Sequence, residues 1–131
     1  MSDDCGCIYL DVDSDAVEVV TMRMARKAHR CLECRRDIQP GQRYEVRAQF
    51  AEGSASTFKT CSVCAEIRNA FFCSGWYYGD VWQQVRESMF EDRGLTSACL
   101  EKLATVEAKQ FLQQRWWTWV ESRTNADGAV K

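Results

Sequence analysis

The sequence predicts a single α+β domain, and three observations carry that prediction. Two Cys-x-x-Cys pairs, Cys31/Cys34 and Cys61/Cys64, stand 26 residues apart. Between them residues 43–50 alternate with period two, the mark of a half-buried strand. From Ser62 onward apolar residues recur at helical spacing. The chain has 131 residues, within the range of one domain, and is 46% hydrophobic, enough to build a core without staples. It is also 27% charged and holds no apolar run near eighteen residues, which argues against a membrane span.

The elements follow in chain order. Residues 8–12 and 16–21 are β-rich, and Asp13-Ser14-Asp15 between them is a turn signal, so a short N-terminal hairpin is predicted. It lies in an acidic segment, 1–22, with six acids and no base, whereas residues 23–47 hold eight bases against three acids. Gln39-Pro40-Gly41 makes a tight turn, because proline fixes φ and glycine accepts a positive one. In the alternating stretch Tyr44, Val46, Ala48 and Phe50 point one way, and Arg43, Glu45, Arg47 and Gln49 the other. Glu52-Gly53-Ser54 then turns the chain into a second strand over 55–60, completing a hairpin.

Val63, Ile67, Ala70 and Phe71 form the inner stripe of a first helix, with Glu66, Arg68 and Asn69 outward. Gly75 and Gly79 bracket Trp76-Tyr77-Tyr78. A helix near Asp80 carries Val81, Val85 and Met89 and stops at Arg93-Gly94. A short helix over 97–104 follows, and Thr105 N-caps a last helix running to about Ser122. The expected division of the domain 1–131 is an acidic β segment (1–22), a cysteine finger (23–74), a helical cap (75–123) and a flexible tail (124–131).

The eight cysteines are read through the compartment. The N-terminus is acidic where a secretory signal would be basic and then apolar, so a reducing bacterial cytoplasm is expected, where paired cysteines bind metal more often than each other. Two knuckles joined by a hairpin supply the tetrahedral four-sulfur shell that Zn²⁺ prefers. One structural zinc is therefore expected on Cys31, Cys34, Cys61 and Cys64, with no open position for catalysis. A redox pair or an iron–sulfur cluster fits this spacing less well. Knuckle, hairpin, then a helix bearing the last ligands is the order of a treble-clef-like finger. Cys5, Cys7, Cys73 and Cys99 remain; they read either as a second zinc site or, for Cys73 and Cys99, as small apolar side chains. His29, two residues before Cys31, reads as a neighbour of the site or a solvent-facing group, with ligation the alternative.

Four groups of residues, taken in one order, resemble a known family: Ala28-His-Arg-Cys31-Leu-Glu-Cys34, Ile38-Gln-Pro-Gly41-Gln-Arg-Tyr44, Phe58-Lys-Thr-Cys61-Ser-Val-Cys64 and Phe72-Cys-Ser-Gly75-Trp-Tyr-Tyr-Gly79. Together with the opening Cys5-Gly-Cys7-Ile-Tyr-Leu-Asp-Val-Asp, they are similar to small phage- and prophage-encoded zinc-finger proteins. The resemblance covers residues 5 to about 90 and implies a phage origin, without assigning an activity.

Catalysis finds no support in the residues. With His29 as its one histidine, the chain lacks the metal ligands of an HNH-type nuclease, and it has neither a Ser/His/Asp arrangement nor a Gly-rich phosphate loop. Two binding functions remain. The preferred reading is a protein–protein interaction module, acting on a host factor or on itself, because Trp117 lies off the apolar stripe of the last helix and Trp76 and Tyr77 add aromatic surface. The alternative is nucleic-acid binding through Arg26, Lys27, Arg30, Arg35, Arg36, Arg43 and Arg47 around the first knuckle.

Overall fold

A computed structural model describes residues 5–12 and 17–130, with residues 124–130 as backbone only. Five strands come first: β1 (Val17–Met24), β2 (His29–Arg30), β3 (Asp37–Ile38), β4 (Arg43–Ala51) and β5 (Ser54–Cys61). The helices follow: α1 (Ser62–Phe71), α2 (Val81–Val85) running into a π-helical turn over Arg86–Phe90, α3 (Ser97–Glu101) and α4 (Val106–Val130). The class is mixed α+β, with a small antiparallel sheet and helices.

β4 and β5 are joined by Glu52 and Gly53, with φ of 49° and 79°. Positive φ at both central positions gives the hairpin turn whose twist matches the flanking strands. The pairing runs from Ala51↔Ser54 to Tyr44↔Cys61, which delivers Cys61 to the end of the ladder, where α1 begins. β2 and β3 pair separately through His29↔Ile38 and Arg30↔Asp37, and the first knuckle is the loop they enclose.

The expected N-terminal hairpin does not form. Its turn, Asp13-Ser14-Asp15, lies outside the described residues. β1 pairs along its whole length with β4, from Val17↔Phe50 to Met24↔Arg43, so the sheet order is β1-β4-β5. Residues 8–12 lie elsewhere: Ile8 is buried and bridges Phe72 in parallel, its N–H donating to the Phe71 carbonyl at 2.7 Å. β4 offers a whole edge of unpaired backbone groups, and a ladder of eight residue pairs outweighs a local turn signal.

α1 packs against the sheet, and α4 against α1. Ile67, Phe71, Val81, Val85, Met89 and Leu112 are fully buried among them. One outward assignment is corrected here. Arg68, expected on the solvent face of α1, is the largest fully buried side chain, and Glu45 beneath it is 3% exposed. The guanidinium grips the carboxylate with two bonds, at 2.8 and 2.7 Å, and stacks 4.1 Å above the ring of Trp76. Arg47 adds a third contact to Glu45 at 2.8 Å and lies 4.8 Å from the same ring. Glu45 faces inward because α1 roofs that side of β4.

Thr105 caps α4 as predicted, its hydroxyl oxygen accepting from Ala108 N–H at 3.2 Å. Its own O–H donates to Glu66 at 2.7 Å, which binds the start of α4 to α1. The backbone of α4 stays helical to Val130, past the expected end near Ser122 and through most of the predicted flexible tail.

The last four cysteines are corrected as well. Cys5 is disulfide-bonded to Cys99 and Cys7 to Cys73, with Cα separations of 4.9 and 5.7 Å. They therefore do not form the second four-sulfur metal site considered from the sequence. A bonded pair also removes the premise that these thiols are kept reduced, so they no longer argue for a cytoplasmic location. Among the described residues no helix is long and apolar enough to cross a membrane.

Candidate metal centre

The first knuckle is shaped by its backbone. Cys31 N–H donates to Arg36 at 2.9 Å, and Arg35 N–H returns to Cys31 at 3.0 Å, folding Cys31 and Cys34 onto one side. Closing so tight a turn puts Arg35 at φ 66°, the left-handed region. The second pair is placed by the junction of β5 and α1. Cys61 is the N-cap of α1, its sulfur accepting from Cys64 N–H at 3.4 Å, and Cys64 sits in the first helical turn, where free N–H groups favour an anionic sulfur. Leu32 N–H donates to the Lys59 carbonyl at 2.8 Å, and this bond holds the knuckle against β5.

These contacts bring the ligating atoms of Cys31, Cys34, Cys61 and Cys64 within 4.8 Å of one another. Cys34 and Cys61 sulfurs are 3.9 Å apart. A tetrahedron of sulfurs bonded at about 2.3 Å to a central ion has edges of about 3.8 Å, so the four atoms fit a bound metal ion such as zinc. Cys31 and Cys64 are wholly buried, and Cys34 and Cys61 partly so.

Packed this closely, four thiols cannot all ionise unaided. The Cys31 thiol is drawn down to about 6: its bond with Cys34 raises it, but bonds with Cys61 and Cys64 outweigh that. Cys34 is driven down by bonds from Cys31, Cys61 and Cys64. Cys61 is pushed up through Cys31 and Cys34, and Cys64 through Cys31, Cys34 and Cys61. The four sulfurs thus compete for charge with one another, and a divalent cation would relieve that competition.

Groups around the sulfurs take up the excess negative charge of a four-thiolate shell. Cys61 N–H donates to Cys31 sulfur at 3.3 Å, Arg36 Nε to Cys34 at 3.5 Å, and the indole N–H of Trp82 to Cys64 at 3.3 Å. Glu33, inside the first knuckle, was not singled out from the sequence. Its carboxylate is buried and accepts from Gly79 N–H at 2.9 Å and Val81 N–H at 3.1 Å, tying the knuckle to the start of α2. Burial raises the Glu33 pKa, and the two N–H donors pull against that. No sequence pattern marks such a role, since a glutamate in a polar loop looks solvated.

The other sequence-selected residues lie outside the sulfur cluster. His29 is not among the clustered ligands; its ring lies 3.4 Å from the Tyr44 hydroxyl and 3.3 Å from Lys59 Nζ. Of the basic set, Arg47 is bound to Glu45 and Glu18, and Arg36 lies 3.8 Å over the Phe111 ring. Arg43 lines a hollow with Arg36, Asp37 and Glu107. Arg26, Lys27, Arg30 and Arg35 remain exposed. Trp76 lies against the guanidinium groups of Arg47 and Arg68 and edge-on to Tyr78, which removes it as a free stacking platform. Tyr77 donates its hydroxyl proton to the Asp11 carbonyl at 2.7 Å, and Trp117 stands 59% exposed on α4. Comparison with known proteins returns no matching family model, no matching curated protein and no matching solved structure.

Proposed function

We propose that this chain is a non-catalytic interaction module, built on one structural zinc, that binds a protein partner by adding a strand to β1. The observation that carries the reading is the state of β1 itself. It is the outer strand of its sheet, all eight of its residues are exposed, and five of them are large and apolar, from Val17 at 65% to Met24 at 61%. A long, exposed, apolar edge is the geometry into which a partner's strand pairs, with backbone bonds for affinity and side chains for selectivity. Phe50, exposed and opposite Val17, extends the apolar surface onto β4.

The ion's role in this reading is structural. Four cysteines complete a tetrahedral shell and leave no position for substrate or water. First knuckle, β4–β5 hairpin and α1 carrying Cys64 follow the order of a treble clef, which supports naming the finger so. Trp117 is a weaker candidate surface: Val106 lies on the same side of α4, but Gln110 and Gln113 separate the two.

The test has two arms. Metal analysis of purified protein should find one zinc per chain, and sedimentation velocity should find self-association or a complex with a captured protein. Val20→Lys with Met22→Lys places charge on the edge without touching the core; it should leave the zinc in place and abolish the association. An unchanged association in that variant refutes the edge as the docking surface.

A further inference from the structure

A different surface carries charge rather than apolar area. Where the first knuckle lies against the sheet, a groove of about 650 Å³ opens. Val46 and Ala48 line it from the sheet, together with Arg23, Arg30, Arg35 and Lys59. A second hollow of about 840 Å³ shares Arg23 and adds Arg26, Lys27 and His29. Six cationic side chains thus follow one continuous path, and no carboxylate lines either hollow among the described residues.

Three features set this path apart from an ordinary solvated face. Among the described residues, Arg30 alone of the six has a carboxylate partner, Asp37 at 3.8 Å, and both groups are more than half exposed. By contrast, Arg47 on β4 meets Glu45 and Glu18, and Arg68 on α1 meets Glu45. Second, Lys59 Nζ reaches His29 Nδ1 at 3.3 Å, an imidazole nitrogen rather than a carboxylate, so its charge is not offset there. Third, the knuckle turn needs a residue at positive φ, for which glycine is the unstrained choice, and here that position holds Arg35. The left-handed backbone sets the start of a long cationic side chain on the groove wall.

The geometry points to a binding site for single-stranded nucleic acid, recognised through its phosphodiester backbone by Arg23, Arg26, Lys27, Arg30, Arg35 and Lys59. A concave, cation-walled path with a small apolar floor suits one strand laid along it better than a duplex, which needs a protruding element to enter its groove. Aromatic platforms are not on offer here: Tyr44 is buried, and Phe58 is stacked on Tyr78 at 3.9 Å. Binding should therefore be insensitive to base sequence and steeply sensitive to salt.

Fluorescence anisotropy with a labelled fifteen-nucleotide oligo-dT, its annealed duplex, and anionic phosphatidylserine vesicles as competitor tests this. With six phosphate contacts, log Kd should rise with log salt at a slope of about 4 for a single strand. Arg35→Glu with Lys59→Glu should weaken binding at least tenfold. Arg23→Glu with Arg26→Glu, clear of the metal ligands, should do the same with zinc content unchanged, and Arg86→Glu, outside the groove, should have no effect. The inference is overturned by an absence of binding at low salt, by equal or tighter binding of the duplex, by displacement through vesicles as effective as through unlabelled oligo-dT, or by groove variants that bind as the parent does. Arg23 lies on β1, but the Arg35→Glu with Lys59→Glu pair leaves that strand untouched and Val20→Lys with Met22→Lys leaves the groove untouched, so the two proposals fail separately.

Discussion

Removing either member of the Glu45–Arg68 pair should damage the fold, and the two removals should not be equal. Breaking a buried ion pair from one side costs about 3–5 kcal/mol, because the other charge is left uncompensated. In Arg68→Met the carboxylate keeps Arg47, whose Nε is 2.8 Å from Oε1, so the loss should fall near the low end, about 3 kcal/mol. In Glu45→Met the guanidinium of Arg68, with no exposed surface, keeps just the side-chain oxygen of Asn69 at 3.0 Å and the Trp76 ring, so the loss should approach about 5 kcal/mol. Urea unfolding, with metal bound and disulfides intact, is the assay. At an m-value of about 2 kcal/mol per molar, the midpoints should drop by about 1.5 M and about 2.5 M. The double variant should lose far less than the two single losses combined, since apolar groups replacing both partners are often tolerated. The sign with pH follows from Glu45, whose burial raises its pKa but whose bonds from Arg68 and Arg47 carry it below the ordinary value. Its stabilising contribution is thus complete above its unfolded pKa and lost as pH falls through the lower folded one, so the gap between parent and Glu45→Met should narrow below about pH 4. Losses under about 1 kcal/mol in both single variants, or strict additivity in the double, would refute a buried, coupled pair.

Two further outcomes are expected. Trp82→Phe keeps the edge-on packing against Phe111 but removes the indole N–H from Cys64 sulfur, so competition with a zinc chelator should show affinity reduced by about tenfold. Reducing Cys5–Cys99, which closes 94 residues of chain separation, should lower the thermal midpoint in a scan with excess zinc, in line with a chain-entropy loss of about 4.7 kcal/mol.

What could be seen in the residues, and what could not, divides by distance along the chain. The clustered sulfurs were legible because each Cys-x-x-Cys pair is a local device and the alternating strand between them declares its own hairpin. Thr105 was legible as a cap for the same reason. The partner of β1 was not, because a nearby turn signal says nothing of a strand that begins beyond the whole first knuckle. Arg68 and Glu45 were placed outward because periodicity reports polarity, and a charged residue paired inside the core has the same letter as one in water. Glu33 was missed on the same ground. The bonds Cys5–Cys99 and Cys7–Cys73 were hidden because pairing among distant cysteines cannot be read from spacing.

The Cys5–Cys99 linkage also governs how the molecule answers to a mechanical load. A pull applied between the amino-terminal residues and the far end of α4 passes from Cys5 straight into α3 through a covalent bond. Tension then bypasses the sheet, both knuckles and the Arg68 clasp, and falls on the segment beyond residue 99. Until that sulfur bridge is cut, the four clustered sulfurs and the sheet beside them stand in a mechanically silent loop.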